Sequence, residues 1–204
     1  MFDRLNQYIK ALDFESISNE RREVLAPFID YLQDKVNAGG HILLNFICTH
    51  NSRRSHLAQI WAQAMAGYFH LNQVQCYSGG TSATAIYPLI IQTLENVGFQ
   101  ATKLSENENP VYAFKHNANA HPVIAFSKTY GHPFNPAIGF AAVMTCSDAD
   151  ENCPFIPGTE KRISLNYKDP KAFDHTPSQH SKYEERSRQI ATEMFYVFSK
   201  IKNL

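Results

Sequence analysis

A chain of 204 residues is long enough for one domain with its own hydrophobic core, and 44% hydrophobic against 19% charged residues excludes a disordered polymer. Lys+Arg and Asp+Glu are both 19, so the formal net charge of zero offers no electrostatic footprint for nucleic acid or an anionic membrane. No apolar run reaches bilayer length, and Met1–Leu5 has neither the basic nor the apolar region of a signal peptide, which predicts a cytoplasmic protein.

Residues 1–37 read as helical, with Val24, Leu25, Phe28, Ile29, Leu32 and Val36 at the spacing of one helix face. Pro27 either kinks this segment or starts a new helix within it, and Asn37-Ala38-Gly39-Gly40 ends it. The run His41–Ile47 is short and mostly apolar, as a strand buried on both faces should be. After a loop at Cys48–Arg54, Ser55 to about Phe69 predicts a helix with Leu57, Ile60, Trp61, Ala64 and Met65 inward. Gln73–Tyr77 predicts a second strand, and Pro88 sits in the first turn of a helix that ends near Val97 with Gly98 as its cap. The stretch Glu106–Gly139 is rich in Asn, Pro and His, has one candidate strand at Pro122–Phe126, and reads as an insertion or lid. Gly139–Thr145 and Arg162–Tyr167 predict further strands, and His180–Ile201 a closing helix with Ile190, Met194, Val197, Phe198 and Ile201 on one face. Strand, loop, helix, strand and helix in this order predict an α/β fold with a parallel sheet.

The motif that carries chemistry is Cys48-Thr49-His50-Asn51-Ser52-Arg53-Arg54-Ser55, which joins the first buried strand to a helix. A helix start leaves backbone N–H groups pointing outward and adds partial positive charge, so a loop wrapped there can cradle a tetrahedral oxyanion. The same field favours a thiolate, which makes Cys48 the candidate nucleophile. Arg54 adds a fork of donors for two oxyanion oxygens. Ser55 can donate to the Cys48 sulfur, and Asn51 can brace the loop through backbone hydrogen bonds. Thr49, His50, Asn51, Ser52, Arg53 and Ser55 are the expected oxyanion-binding residues. The competing reading is a buried structural cysteine beside a helix start.

These residues resemble the signature of the low-molecular-weight tyrosine phosphatase superfamily: a cysteine, five residues, an arginine, then serine or threonine, with an asparagine three after the cysteine. Cys48, Asn51, Arg54 and Ser55 match it, and Tyr77-Ser78-Gly79-Gly80 resembles the small-residue turn after the second strand. The likeness spans roughly residues 41–200. It implies a three-layer α/β/α fold with a central, mostly parallel four-stranded sheet. On that reading 1–204 is a single domain: an N-terminal helical extension at 1–40 and a catalytic domain at 41–204, with an insertion at about 106–139. Two residues depart from the pattern, His50 in place of the usual glycine and Arg53 in place of a second cysteine. The family's proton donor is an aspartate followed by proline late in the chain, which implies Asp169 of Lys168-Asp169-Pro170 as general acid. Lys171 stands where phosphatases of this family usually carry a tyrosine.

In a reducing cytoplasm the four cysteines are candidates for metal binding or redox chemistry rather than a disulfide scaffold. The segment Cys146-Ser147-Asp148-Ala149-Asp150-Glu151-Asn152-Cys153 closely resembles the redox segment of thioredoxin-coupled arsenate reductases, which share the phosphatase fold. That likeness implies a relay. Cys48 attacks arsenate, Cys146 attacks Cys48 and releases arsenite, Cys153 resolves the disulfide, and thioredoxin reduces the Cys146–Cys153 pair. Were 146–153 helical, the two Cα atoms would stand ~10 Å apart, beyond the reach of a disulfide, so the segment must loop out on oxidation. Asp148, Asp150 and Asn152 mimic the start of a calcium loop, but Cys153 replaces the required glycine. No second Cys/His pair completes a zinc site. A structural potassium ion would draw on Asn51 and Ser78, but Gln59 stands where a glutamate is usual, and no metal or bound cofactor is expected. Cys76, in a predicted strand, reads as structural.

The reading is therefore an arsenate reductase serving arsenic detoxification, with arsenate or phosphate as the bound oxyanion and thioredoxin as electron donor. The alternative is a phosphatase for phosphotyrosine or small phosphate esters, using Cys48, Arg54 and Asp169 alone. A third class, a non-catalytic module binding phosphorylated ligands, would keep Arg54 without needing the thiolate.

Overall fold

The computed structural model describes residues 1–152 and 155–202. Two helices come first, α1 (Asp3–Lys10) and α2 (Asn19–Asn37), parted by a bend in which the Ser18 hydroxyl accepts the Arg21 N–H and starts the second. Pro27 lies inside α2 without ending it. Leu25, Phe28, Leu32 and Val36 are buried as their spacing predicts, whereas Val24 is 39% exposed.

The apolar run then forms β1 (Ile42–Cys48), followed by α3 (Arg54–Tyr68), β2 (Val74–Gly80) and α4 (Pro88–Asn96). Gly98 closes α4 at φ +110°, and a Cβ there would lie 2.5 Å from the Leu5 backbone nitrogen, so only glycine lets α1 dock against this turn. A small antiparallel sheet follows, made of β3 (Gln100–Lys103), β4 (Tyr112–Lys115) and β5 (Val123–Ala125). The chain returns with β6 (Phe140–Met144), the short helix α5 (Ser147–Asn152), β7 (Thr159–Ser164) and α6 (Gln179–Ser199).

The main sheet has the order β2-β1-β6-β7 with every pair parallel. Helices α2, α3 and α6 cover one face, where Phe28 meets Phe46 and Phe198 edge-on at 6.4 and 6.3 Å and Trp61 meets Phe99 at 4.9 Å. On the other face α5 and flanking loops close a smaller apolar cluster of Ile47, Cys48, Phe140, Ala142, Met144, Cys146, Ala149 and Ile156. The molecule is thus the expected three-layer α/β/α fold with helices at its N-terminus. Among the described residues no helix is long and apolar enough to cross a membrane.

Glutamine side chains from α3 cover the outer edge of β2. Gln63 donates to the Val74 carbonyl at 3.1 Å and accepts from the Cys76 N–H at 2.9 Å, while Gln59 donates to the carbonyls of Cys76 and Ile124 at 3.1 and 3.2 Å.

Two expectations need correcting. The last strand runs Thr159–Ser164 rather than Arg162–Tyr167; it is an edge strand with exposed Glu160 and Lys161, so no apolar run marks its start. Beyond it, Leu165 and Tyr167 continue with single N–H bonds to the carbonyls of Met144 and Thr145. The Glu106–Gly139 stretch holds two strands where one was expected. Its second half braces the Cys48 loop from the side through Ser127 and Lys128.

Candidate active site

Register places the chemistry. Ile47 pairs with Met144 and Cys48 with Gly80, so the carboxyl ends of β1, β2 and β6 open side by side. Parallel α/β sheets bind ligands at this end of their strands. From Cys48 the chain turns through the loop into α3. A Cβ on Gly80 would lie 2.7 Å from the Asn51 nitrogen and 2.8 Å from the Thr49 oxygen, so glycine lets β2 approach the loop.

The loop's carbonyls face outward. That of Thr49 accepts from the Ser82 N–H at 2.9 Å and from the Thr81 and Ser82 hydroxyls at 3.1 and 3.2 Å. That of His50 accepts from the hydroxyls of Ser127 and Thr84 at 3.0 and 3.3 Å, and that of Ser52 accepts from the Tyr87 N–H at 3.0 Å. The Asn51 carbonyl meets His56 Nε2 at 2.8 Å. A carbonyl only accepts, so Nε2 carries the proton; burial, with Lys128 close by, pushes His56 down to about 3 and keeps the ring neutral. With four carbonyls turned out, the loop's N–H groups are left to an anion.

Asn51 is the keystone. It sits at φ +44°, fully buried, a left-handed position that asparagine tolerates better than most residues. Its Oδ1 accepts the Lys128 N–H at 2.9 Å, which fixes which end of the amide is which. Nδ2 must then donate to Ser55 Oγ, 2.8 Å away. With that lone pair occupied, the Ser55 hydroxyl is free to point its hydrogen at Cys48 Sγ, 3.1 Å distant. A thiolate at Cys48 would therefore have a fixed donor.

Arg54, 8% exposed, donates from Nη1 to the Tyr167 carbonyl at 2.9 Å and from Nη2 to Asp169 Oδ2 at 2.6 Å. Asp169 also accepts the Lys171 N–H at 3.0 Å and caps the turn Pro170–Phe173. The two residues expected to bind the oxyanion and deliver the proton are thus paired with each other. Arg53, expected among the oxyanion-binding residues, turns its guanidinium elsewhere. It reaches Tyr183 Oη and Asp174 Oδ2, both at 2.6 Å, and lies 4.2 Å over the Tyr87 ring. His50 is exposed and bonds Ser82 Oγ through Nδ1 at 2.9 Å, and Ser52 is buried in the loop wall.

The second thiol lies beside this loop. The Thr145 N–H and hydroxyl both donate to the Ile47 carbonyl, at 2.7 and 2.9 Å, tying together the residues that precede the two cysteines. Cys146 is fully buried, its Sγ 3.5 Å from Thr49 Oγ1 and in one apolar cluster with Cys48. The helix α5 starts directly after it, pinned to β7 by the Asp150–Arg162 ion pair at 2.7 Å. Burial opposes charge on Asp150, but hydrogen bonds from Ser164, Arg162 and Asn166 hold its carboxyl below the usual range. Asp148, Asp150 and Asn152 are therefore helical, with the Asp150 carboxylate held by Arg162 and the Asn152 amide on the Asp148 carbonyl at 2.8 Å. Cys153 lies outside the described residues. Cys76, on β2, is held protonated by burial. Among the described residues no group of three or more His, Cys, Asp or Glu could hold a metal ion.

Sequence reasoning missed Lys128, Asp174, Tyr183 and Tyr87. They bear no motif, and each meets the loop from 30 or more residues away in the chain.

No family model matches the chain. Arsenate reductase 2 of Staphylococcus haemolyticus (strain JCSC1435) is 30% identical over 125 residues, covering 61% of this chain and 76% of that protein. The arsenate reductase of Staphylococcus aureus (strain Newman) is 27% identical over the same length. Among solved structures, the low-molecular-weight phosphotyrosine phosphatase VcLMWPTP-2 from Vibrio cholerae O395 superposes with a TM-score of 0.51 at 14% identity, covering 78% of this chain and 94% of its own. An arsenate reductase in the phosphate-binding state gives 0.50 at 16% identity, covering 79% and 99%. A relative of this identity and coverage places the chain in the arsenate reductase family, and its fold is that of the low-molecular-weight protein tyrosine phosphatases.

Proposed function

We propose that the chain reduces arsenate to arsenite by a thiol relay. Arsenate sits in the Cys48–Ser55 loop with two oxygens on Arg54. The Cys48 thiolate attacks arsenic while Asp169 protonates the departing oxygen, which leaves as water. The Cys146 thiolate then attacks Cys48 Sγ. The sulfur–arsenic bond breaks with its electron pair passing to arsenic, so arsenite departs and a Cys48–Cys146 disulfide remains. Cys153 attacks Cys146 and restores the Cys48 thiolate. A dithiol reductant of the thioredoxin type returns the Cys146–Cys153 disulfide to two thiols.

The observation that supports this over ester hydrolysis is the buried Cys146 thiol 3.5 Å from Thr49, because hydrolysis of an ester contains no step that uses a second thiol. Such a cycle suits a reducing compartment. The test is to mix reduced protein with arsenate, without thioredoxin, and to count and map thiols by intact mass and peptide mapping. The expected result is loss of the Cys146–Cys153 pair with release of arsenite, abolished in Cys48→Ser. Retention of every thiol would refute the relay and favour the hydrolase.

A further inference from the structure

Successive arginines of the oxyanion loop hold both ends of one turn. Arg54 pairs with Asp169 at its start and Arg53 with Asp174 at its end, each at 2.6 Å. The two pairs differ in surroundings. The Asp169 side chain is 36% exposed and its pair faces the loop, whereas the Arg53 and Asp174 side chains are 11% and 12% exposed. Tyr183 Oη donates to Asp174 Oδ1 at 2.6 Å and accepts from Arg53 Nε, and the Tyr183 ring stacks on Tyr87 at 5.4 Å beneath the guanidinium. One pair is open to exchange and the other is locked.

The geometry points to a positioning role for Arg53: it keeps the Asp169 turn closed when the substrate takes Arg54 away. This rests on the reading of Asp169 as the acid. An incoming oxyanion competes with the Asp169 carboxylate for the same Nη2 donor. Once displaced, Asp169 must stay within reach of the departing oxygen. Asp174 cannot follow it outward, because Arg53 belongs to the loop that binds the oxyanion. Arg53 touches no reacting atom and acts through Asp169.

The experiment measures the arsenate dependence of the first turnover, read as arsenite released, in Arg53→Gln, Arg53→Lys, Asp174→Asn, Asp169→Asn and the double variant Arg53→Gln/Asp169→Asn. Urea unfolding checks each fold. A misplaced acid lowers the maximal rate, so Arg53→Gln should lose about ten- to a hundredfold in kcat with KM near the wild-type value. Asp174→Asn should fall in the same direction, and Arg53→Lys should recover part of the rate. In the Asp169→Asn background, Arg53→Gln should cost nothing more. A wild-type kcat in Arg53→Gln, or a loss that persists undiminished without Asp169, overturns the proposal. If the wild-type protein releases no arsenite, the arsenate reading has failed. The same comparison on hydrolysis of p-nitrophenyl phosphate then decides the role of Arg53 by the same criterion.

Discussion

The direction of one hydroxyl hydrogen can be reversed by exchanging two atoms. In Asn51→Asp the Oδ1 that accepts the Lys128 N–H is retained, but the donor to Ser55 Oγ becomes a second acceptor. The Ser55 hydroxyl should then swing from Cys48 Sγ to the new carboxylate. A hydrogen bond to a charged acceptor contributes about 1.5–3 kcal/mol, so a thiolate at Cys48 should lose roughly ten- to a hundredfold of its stabilisation. A less stabilised thiolate is intrinsically more nucleophilic, which returns about half of that on a logarithmic scale. The net expectation is about a three- to tenfold drop in the rate of Cys48 alkylation by iodoacetamide at about pH 6, followed by peptide mapping. Ser55→Ala removes the same donor without adding charge and should show a similar or smaller drop. Adding it to Asn51→Asp should change little further, since both act on one hydrogen bond. Unchanged or faster alkylation in Asn51→Asp would refute the assigned direction of the Asn51–Ser55–Cys48 chain.

Burial holds Lys128 down at about 7, with Nζ donating to the Phe126 carbonyl 3.2 Å away. The unfolded chain binds more protons than the folded one between about pH 7 and 10, so stability to urea should rise across that window. Lys128→Met should flatten the rise. Phe28 of α2 packs on Phe46 of β1 and Phe198 of α6, and Phe28→Ala should cost about 3–5 kcal/mol by urea unfolding. A loss under about 1 kcal/mol would mean that α2 is not part of the main core. Asp150→Asn weakens the tie between α5 and β7, so amides of Ala149 to Asn152 should exchange faster with deuterium in the reduced protein. Unaltered exchange there would show that helix packing alone holds α5.

The fold was legible wherever burial leaves a period in the sequence. The run Ile42–Ile47 is apolar because neighbours cover it on both faces, and α3 and α6 show their stripes because each lies on the sheet. The loop was legible because its chemistry needs particular side chains at fixed spacing. β3 was not, being a short edge strand of mostly exposed polar residues, and β7 was legible only from Arg162 onward because its first residues are polar and charged. Nor was the partner of Arg53. Asp174 lies 121 residues away, and one acidic residue in a polar stretch gives no sign of which cation it will meet. The substitution of Arg53 for the cysteine usual at that position was visible as an oddity. Its meaning needed α6 and the Asp169 turn to be brought alongside.

The glutamine cover on β2 bears on how copies of this chain behave when crowded. An open strand edge is a template on which another molecule can add a strand. Here the groups on offer, the Val74 and Cys76 carbonyls and the Cys76 N–H, are already answered by Gln63 and Gln59. An incoming strand would have to strip amides from a packed helix before gaining its first bond. At the far edge of the sheet the Glu160 carboxylate of β7 is engaged by α2, pairing with Lys35 at 2.8 Å and accepting from Tyr31 Oη at 2.6 Å. The β2 edge is thus closed by competition, a defence against aggregation built from side chains that take no part in the chemistry.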